Sequence, residues 1–107
     1  MEVHNCLGRG FNEIVYKDAL EMEFRQNGIP FSRERSYPIV YKGSVLPHSY
    51  QADFIVYDQI VLEIKAIECL TKAHEKLVLN YLAASKLRLG MIVNFGEASL
   101  AWKRVIL

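Results

Sequence analysis

Between Asn12 and Gln26 the stretch NEIVYKDALEMEFRQ places Val15, Ala19 and Met22 on one stripe, with Tyr16, Leu20 and Phe24 beside it. Apolar positions that return every three or four residues predict an amphipathic helix. Asn12 is suited to cap its start, and Asn27-Gly28 with Pro30 just beyond is a stop signal. From Phe31 the period shortens to two. Tyr37, Ile39 and Tyr41 alternate against Pro38, Val40 and Lys42, and a turn is predicted at Lys42-Gly43-Ser44. Two further strands are predicted over 50–57 and 60–66, separated at Asp58-Gln59, so that the three form an antiparallel meander. Thr71 caps a second helix, TKAHEKLVLNYLAASKLRL, with Ala73, Leu77, Tyr81 and Ala84 on one face, Leu79, Leu82 and Leu89 widening it, and Gly90 ending it. GMIVNF and the closing SLAWKRVIL read as two last strands. The predicted order is α-β-β-β-α-β-β, an α/β or α+β domain with helices covering a central sheet.

The chain of 107 residues is long enough for one core and too short for two comfortable ones, so a single domain over 1–107 is expected. With 51% apolar and 23% charged residues it has the composition of a soluble globular domain. No apolar run approaches the length of a membrane span, and MEVHNCLGRG lacks the pattern of a signal peptide. A cytoplasmic location and no membrane partner are therefore expected. Cys6 and Cys69 are far apart and form no CxxC, which removes zinc-knuckle and thioredoxin-type readings and leaves two free thiols. The net charge of +1 neither demands nor excludes a nucleic-acid partner.

The local oddity is LEIKAI, residues 62–67. Glu63 and Lys65, two apart, share one face of an otherwise apolar strand. Asp53 is a second oddity, inside QADFIVYD, because Asp is depleted in strands. A hairpin joining the two strands brings the carboxylates together only in one register. A two-residue loop at Asp58-Gln59 pairs residue 54 with 63 and sends Asp53 to the far face, whereas a three-residue loop, Tyr57-Asp58-Gln59, pairs 53 with 63. A shared site therefore predicts an odd-length loop or a bulge. Opposed carboxylates repel unless something positive lies between them, and Mg²⁺, which is held by one or two carboxylates plus water and phosphate oxygens, fits that need. Lys65 would then be placed to orient a water or to stabilise developing negative charge at a phosphodiester. The competing reading is an open sheet face with Glu63 and Lys65 in solvent and Lys65 paired across to Asp53.

Other residues have plainer readings. His74, one turn into a helix with no second His four residues on, reads as a cap or surface group, and His4 and His48 are as isolated. Arg33, Arg35, Lys42, Lys86 and Arg88 with Tyr37, Tyr41 and Tyr50 offer a basic, aromatic surface to a phosphate backbone, although scattered charges of this kind are more often solvated faces. Glu13 is positioned for an i, i+4 pair with Lys17.

Gly10-Phe11-Asn12-Glu13-Ile14-Val15-Tyr16 resembles the signature of the GxxExxY proteins, a family placed in the PD-(D/E)XK nuclease superfamily. The resemblance runs on through GIPFSRERSYPIVYKG, ADFIV, VLEIKAIECLTKAHEKLVLNYL and LRLGMIVNFG, and so covers essentially the whole chain. It implies a restriction-endonuclease-like core, a mixed sheet between helices, and a metal site on the hairpin of the second and third strands. Asp53, Glu63 and Lys65 fall on the superfamily's acidic and lysine positions, with Mg²⁺ or Mn²⁺ as the implied cofactor and DNA or RNA as the implied partner. Glu13 matches the additional acid that completes the metal shell, with Tyr16 as a packing residue holding it. Two departures stand out. Leu77 replaces a Gln that in many relatives faces the site, which puts cleavage in doubt and keeps an inactive binding module as the alternative. The stretch before EVHNCLGRG lacks a helical segment usual in relatives, so an exposed apolar patch is expected there, which a homodimer could cover.

Overall fold

The structure, a computed structural model, describes residues 2–107. In chain order the elements are α1 (Glu2–Leu7), α2 (Glu13–Gln26), β1 (Phe31–Tyr41), β2 (Ser44–Val56), β3 (Ile60–Lys65), α3 (Lys72–Ser85), β4 (Leu89–Asn94) and β5 (Ala101–Ile106). The strands form one mixed sheet in the order β1-β2-β3-β4-β5. The first three are the expected antiparallel meander; β3 and β4 run parallel across α3, and β5 returns antiparallel to β4.

Each face of the sheet carries its own core. Tyr16 and Leu20 of α2, with Val3 of α1, pack on Phe54, Val56, Leu62, Ile64, Val93 and Phe95. Val78 and Leu82 of α3 pack on Ala52, Ile55, Val61, Ile92 and Val105 on the opposite face. Tyr16 is wholly buried, stacked 4.5 Å from Phe95. Its hydroxyl donates to the Gly8 carbonyl at 2.7 Å and accepts from the Phe11 N–H at 3.2 Å. Burying side chains of this size contributes roughly 1.5–3 kcal/mol each, so two thin cores suffice for a domain of this length.

Several predicted boundaries move. The stretch 2–7, just ahead of the glycines at 8 and 10, is helical, which adds α1 ahead of the predicted order and buries Val3 and His4. Phe11 and Ile14, close to α1, are exposed, and an apolar groove of about 320 Å³ between α2 and the sheet is lined by Leu20, Phe24, Leu62, Met91, Val93, Leu100 and Trp102. Strand β2 starts at Ser44, not near Tyr50, because β1 and β2 continue as a hairpin arm to the turn at Lys42-Gly43. The arm carries exposed Val40, Tyr41, Val45 and Leu46 and contributes to a long dimension of 48 Å. A shift in register between Pro38 and Val40 marks where proline cannot donate to the ladder. Helix α3 ends at Ser85 on a left-handed Lys86, and Gly90 lies inside β4. A Cβ at Gly90 would come within 2.5 Å of Val78 Cγ1, so this glycine permits close helix-to-strand packing and does not end the helix. On α2, Met22 is exposed and the buried stripe is Tyr16 and Leu20.

Candidate functional site

The turn from β2 to β3 is three residues long: Val56 pairs with Ile60, Ile55 with Val61 and Phe54 with Leu62. This is the odd-length connection that sets Asp53 opposite Glu63. The ladder opens at that point, and the side chains take it over. The Asp53 N–H donates to Glu63 Oε1 at 3.1 Å, and the Ile64 N–H donates to Asp53 Oδ2 at 2.8 Å. Each carboxylate thus binds backbone of the other's strand.

Backbone geometry around Asp53 is irregular. Arg33 pairs with Phe54 and Arg35 with Ala52, while Glu34, between them and opposite Asp53, has φ of 56°. A non-glycine residue in the left-handed region is uncommon and costs free energy, and such positions cluster at functional sites. Ala52 and Ile55 also pack in one core, which strict alternation along β2 forbids, so the strand changes face parity at Asp53.

Glu63 is 3% exposed. Burial first, and the Asp53 charge second, raise its pKa from an ordinary 4.5 to about 8, against the opposing pull of the Asp53 N–H and Lys65. A buried acid beside another acid holds its proton near neutrality and gives it up to a cation. Tyr81 of α3 lies at the edge of the same field: burial, followed by the negative charges of Glu63 and Asp53, pushes its phenol up to about 12.

Lys65 follows Glu63 by two on β3 and is half-buried. The lysine that pairs with Asp53 is not Lys65. Lys17 Nζ of α2 lies 3.1 Å from Asp53 Oδ1 and 3.5 Å from Glu34 Oε1, with its side chain 14% exposed. Burial works against the ammonium, but hydrogen bonding and attraction from Asp53 and Glu34 outweigh it and raise its pKa. The i, i+4 pairing of Lys17 with Glu13 does not form, because Lys17 turns to the strands. Glu13 opens α2 and is half-buried, and among the described residues it makes no hydrogen bond or ion pair with Asp53 or Glu63. No group of three His, Cys, Asp or Glu side chains among the described residues is placed to hold one metal ion. The structure therefore brings Asp53 and Glu63 together and leaves Glu13 outside that pair. Tyr16 is a packing residue as expected, stacked on Phe95, and its hydroxyl binds the Gly8–Phe11 turn just ahead of Glu13.

Sequence reasoning missed Lys17 as a site residue because its helical spacing to Glu13 already supplied a partner. It also missed Asn94. This fully buried side chain accepts from the N–H groups of Ile67 and Gly96 and donates to Ile67 O and Glu97 Oε2, fastening the chain just beyond Lys65 to the end of β4. His74 is the cap expected of it: its Nδ1 accepts from the Thr71 N–H at 3.0 Å. The basic surface is divided. Arg33 is held by Asp18 and Glu21, Arg35 by Asp58, and Lys86 and Arg88 line a separate groove with Gln59 and Ile60.

The fold is thus a mixed sheet flanked by helices, with Asp53, Glu63 and Lys65 on one hairpin. The chain matches the family model of the PD-(D/E)XK nuclease superfamily over residues 1–105, and it belongs to that superfamily. Among solved structures it is similar to the protein described as SSO0001, with 21% identity and a TM-score of 0.69 over 86% of this chain and 48% of the other; that likeness shows the fold, and this chain spans about half that protein's length. No curated protein matches.

Proposed function

We propose that this domain, of the GxxExxY type within the superfamily, hydrolyses phosphodiester bonds of DNA or RNA with a divalent metal. The observation that supports the reading best is the Asp53–Glu63 pair across the opened ladder, one carboxylate buried and holding a proton that a cation would replace. The donor set suits the group: two carboxylates, all hard oxygen, are what Mg²⁺ or Mn²⁺ takes when it keeps most of its coordination in water and phosphate. Asp53 and Glu63 would hold the ion, with Glu13 as an outer acid. When bound, the ion would supply Lewis-acid polarisation of the phosphodiester and lower the pKa of a water. Lys65, on the strand face of Glu63, orients the attacking water and meets the negative charge that develops on phosphate. Glu63 must release its proton for the ion to enter, so binding is linked to pH.

Titration calorimetry and thermal-shift measurements with Mn²⁺ on the wild type and Asp53→Ala test the site, and equal responses would sink it. Cleavage assays on plasmid, single-stranded DNA and RNA then test the chemistry. The second reading is a nuclease fold retained for nucleic-acid or protein binding. Leu77, one helical turn before Tyr81, favours it, because an alkyl side chain there can neither orient water nor contact phosphate. It predicts a measurable partner or oligomer and no cleavage under any metal. The exposed thiols Cys6 and Cys69 fit a reducing cytoplasm. No helix among the described residues is long and apolar enough to cross a membrane. Light scattering of the wild type and of Trp102→Glu tests the homodimer, which the groove at Trp102 would have to bury.

A further inference from the structure

Lys17 presents an unusual arrangement for a helix lysine. Its ammonium is mostly withdrawn from water and stands between two acids of different strands, 3.1 Å from Asp53 Oδ1 and 3.5 Å from Glu34 Oε1. The other Asp53 oxygen already accepts the Ile64 N–H, so Oδ1, on which Lys17 stands, is the oxygen with no backbone donor and the one more open to a cation. Two like-charged ions cannot share that oxygen cheaply in a partly buried site. Glu34 gives the ammonium a second anion. That acid is 48% exposed at its side chain, and it is held opposite Asp53 by a left-handed backbone that a strand residue rarely adopts.

We propose that Lys17 is a tethered counter-cation that competes with a divalent ion for Asp53 and yields by moving onto Glu34, so that the Lys17–Glu34 pair sets the metal affinity of the site. The inference rests on the metal-site reading above and adds to it a competitor built into α2. Lys17 is in this role a positioning residue: it touches Asp53, not substrate. Because the ammonium and the incoming ion exclude one another, removing the ammonium tightens binding. Removing Glu34 leaves Lys17 with only Asp53 to hold and weakens binding.

The test is Mn²⁺ binding by calorimetry at alkaline pH on the intact domain, with Lys17→Met, Glu34→Gln and Asp53→Asn. Lys17→Met is expected to bind about tenfold tighter than wild type. Glu34→Gln is expected to bind about threefold more weakly, the scale of a partly exposed ion pair. Unchanged or weaker binding by Lys17→Met, or unchanged binding by Glu34→Gln, overturns the inference. Glu34→Gln keeps the test decisive if Lys17→Met does not fold, because it leaves the ammonium in place. Asp53→Asn separates the two levels. If it binds Mn²⁺ as the wild type does, the metal site and the competitor fall together; if it loses binding while Lys17→Met gains none, only the competitor falls.

Discussion

Asp53 and Glu63 are bound crosswise, each carboxylate accepting an N–H from the other's strand at the point where the β2–β3 ladder stops. The pair is therefore structural and chemical at once. Its acids replace two backbone hydrogen bonds, and they concentrate negative charge where one of them is buried. Either residue therefore bears on strand pairing whatever else it does, and an isosteric amide such as Glu63→Gln, with stability measured beside binding, separates the two.

Stability in chelator should fall as pH rises from about 5 to 8. Glu63 has a folded pKa raised from 4.5 to about 8, so between those values the native state keeps a proton that the unfolded chain releases. The contribution is complete below the unfolded value and lost as pH passes the folded one, a slope on the order of 1 kcal/mol per pH unit from this group. Urea denaturation across that range reads it directly; a flat profile would show that Glu63 is ionised in the fold.

Glu63→Gln imitates the protonated acid. Compared with the wild type it should flatten that pH dependence and, at pH values above about 8, raise stability by on the order of a few kcal/mol. The same variant should lose the thermal shift given by Mn²⁺. A variant that keeps a full Mn²⁺ response would remove Glu63 from the ligand set.

Lys65→Ala should leave Mn²⁺ affinity close to wild type while lowering any cleavage rate by about 10²–10³-fold, the usual scale for a lost group that stabilises transition-state charge. Single-turnover rates at saturating metal provide the comparison. Equal rates would reduce Lys65 to a strand residue.

Away from the acids, Tyr16→Phe removes a buried hydroxyl that serves both Gly8 and Phe11, and should cost about 1–2 kcal/mol. Gly96→Ala should cost about 3 kcal/mol, because a Cβ there would collide with the Ile67 carbonyl oxygen and nitrogen. Thermal denaturation measures both, and a neutral Gly96→Ala would show that the 66–68 segment yields easily.

Much of the fold was legible because its signals are local. The 3.6-residue period of α2, the Thr71 cap with His74, and the alternation in β1 and β3 each depend on near neighbours. The Asp53–Glu63 register was legible because parity leaves only two choices for a short turn. Helix α1 was obscured by glycines at 8 and 10 that lie beyond its end, and Gly90 was misplaced because its reason is a contact with Val78, twelve residues earlier. The partners of Lys17 and Asn94 were hidden for the same cause. Asp53 is 36 residues from Lys17, and Ile67 is 27 from Asn94, and no spacing rule reaches across such distances.

The three-residue turn at Tyr57-Asp58-Gln59 carries a consequence for how this chain can vary in length. Adding or deleting one residue there would rotate Asp53 to the opposite side of the sheet while leaving Glu63 where it is, and the two acids would part without any change in either. Functional descendants of this hairpin should therefore lengthen or shorten the turn in steps of two, or compensate with a bulge. A single-residue insertion in the turn offers a way to part the two acids while every native side chain is kept.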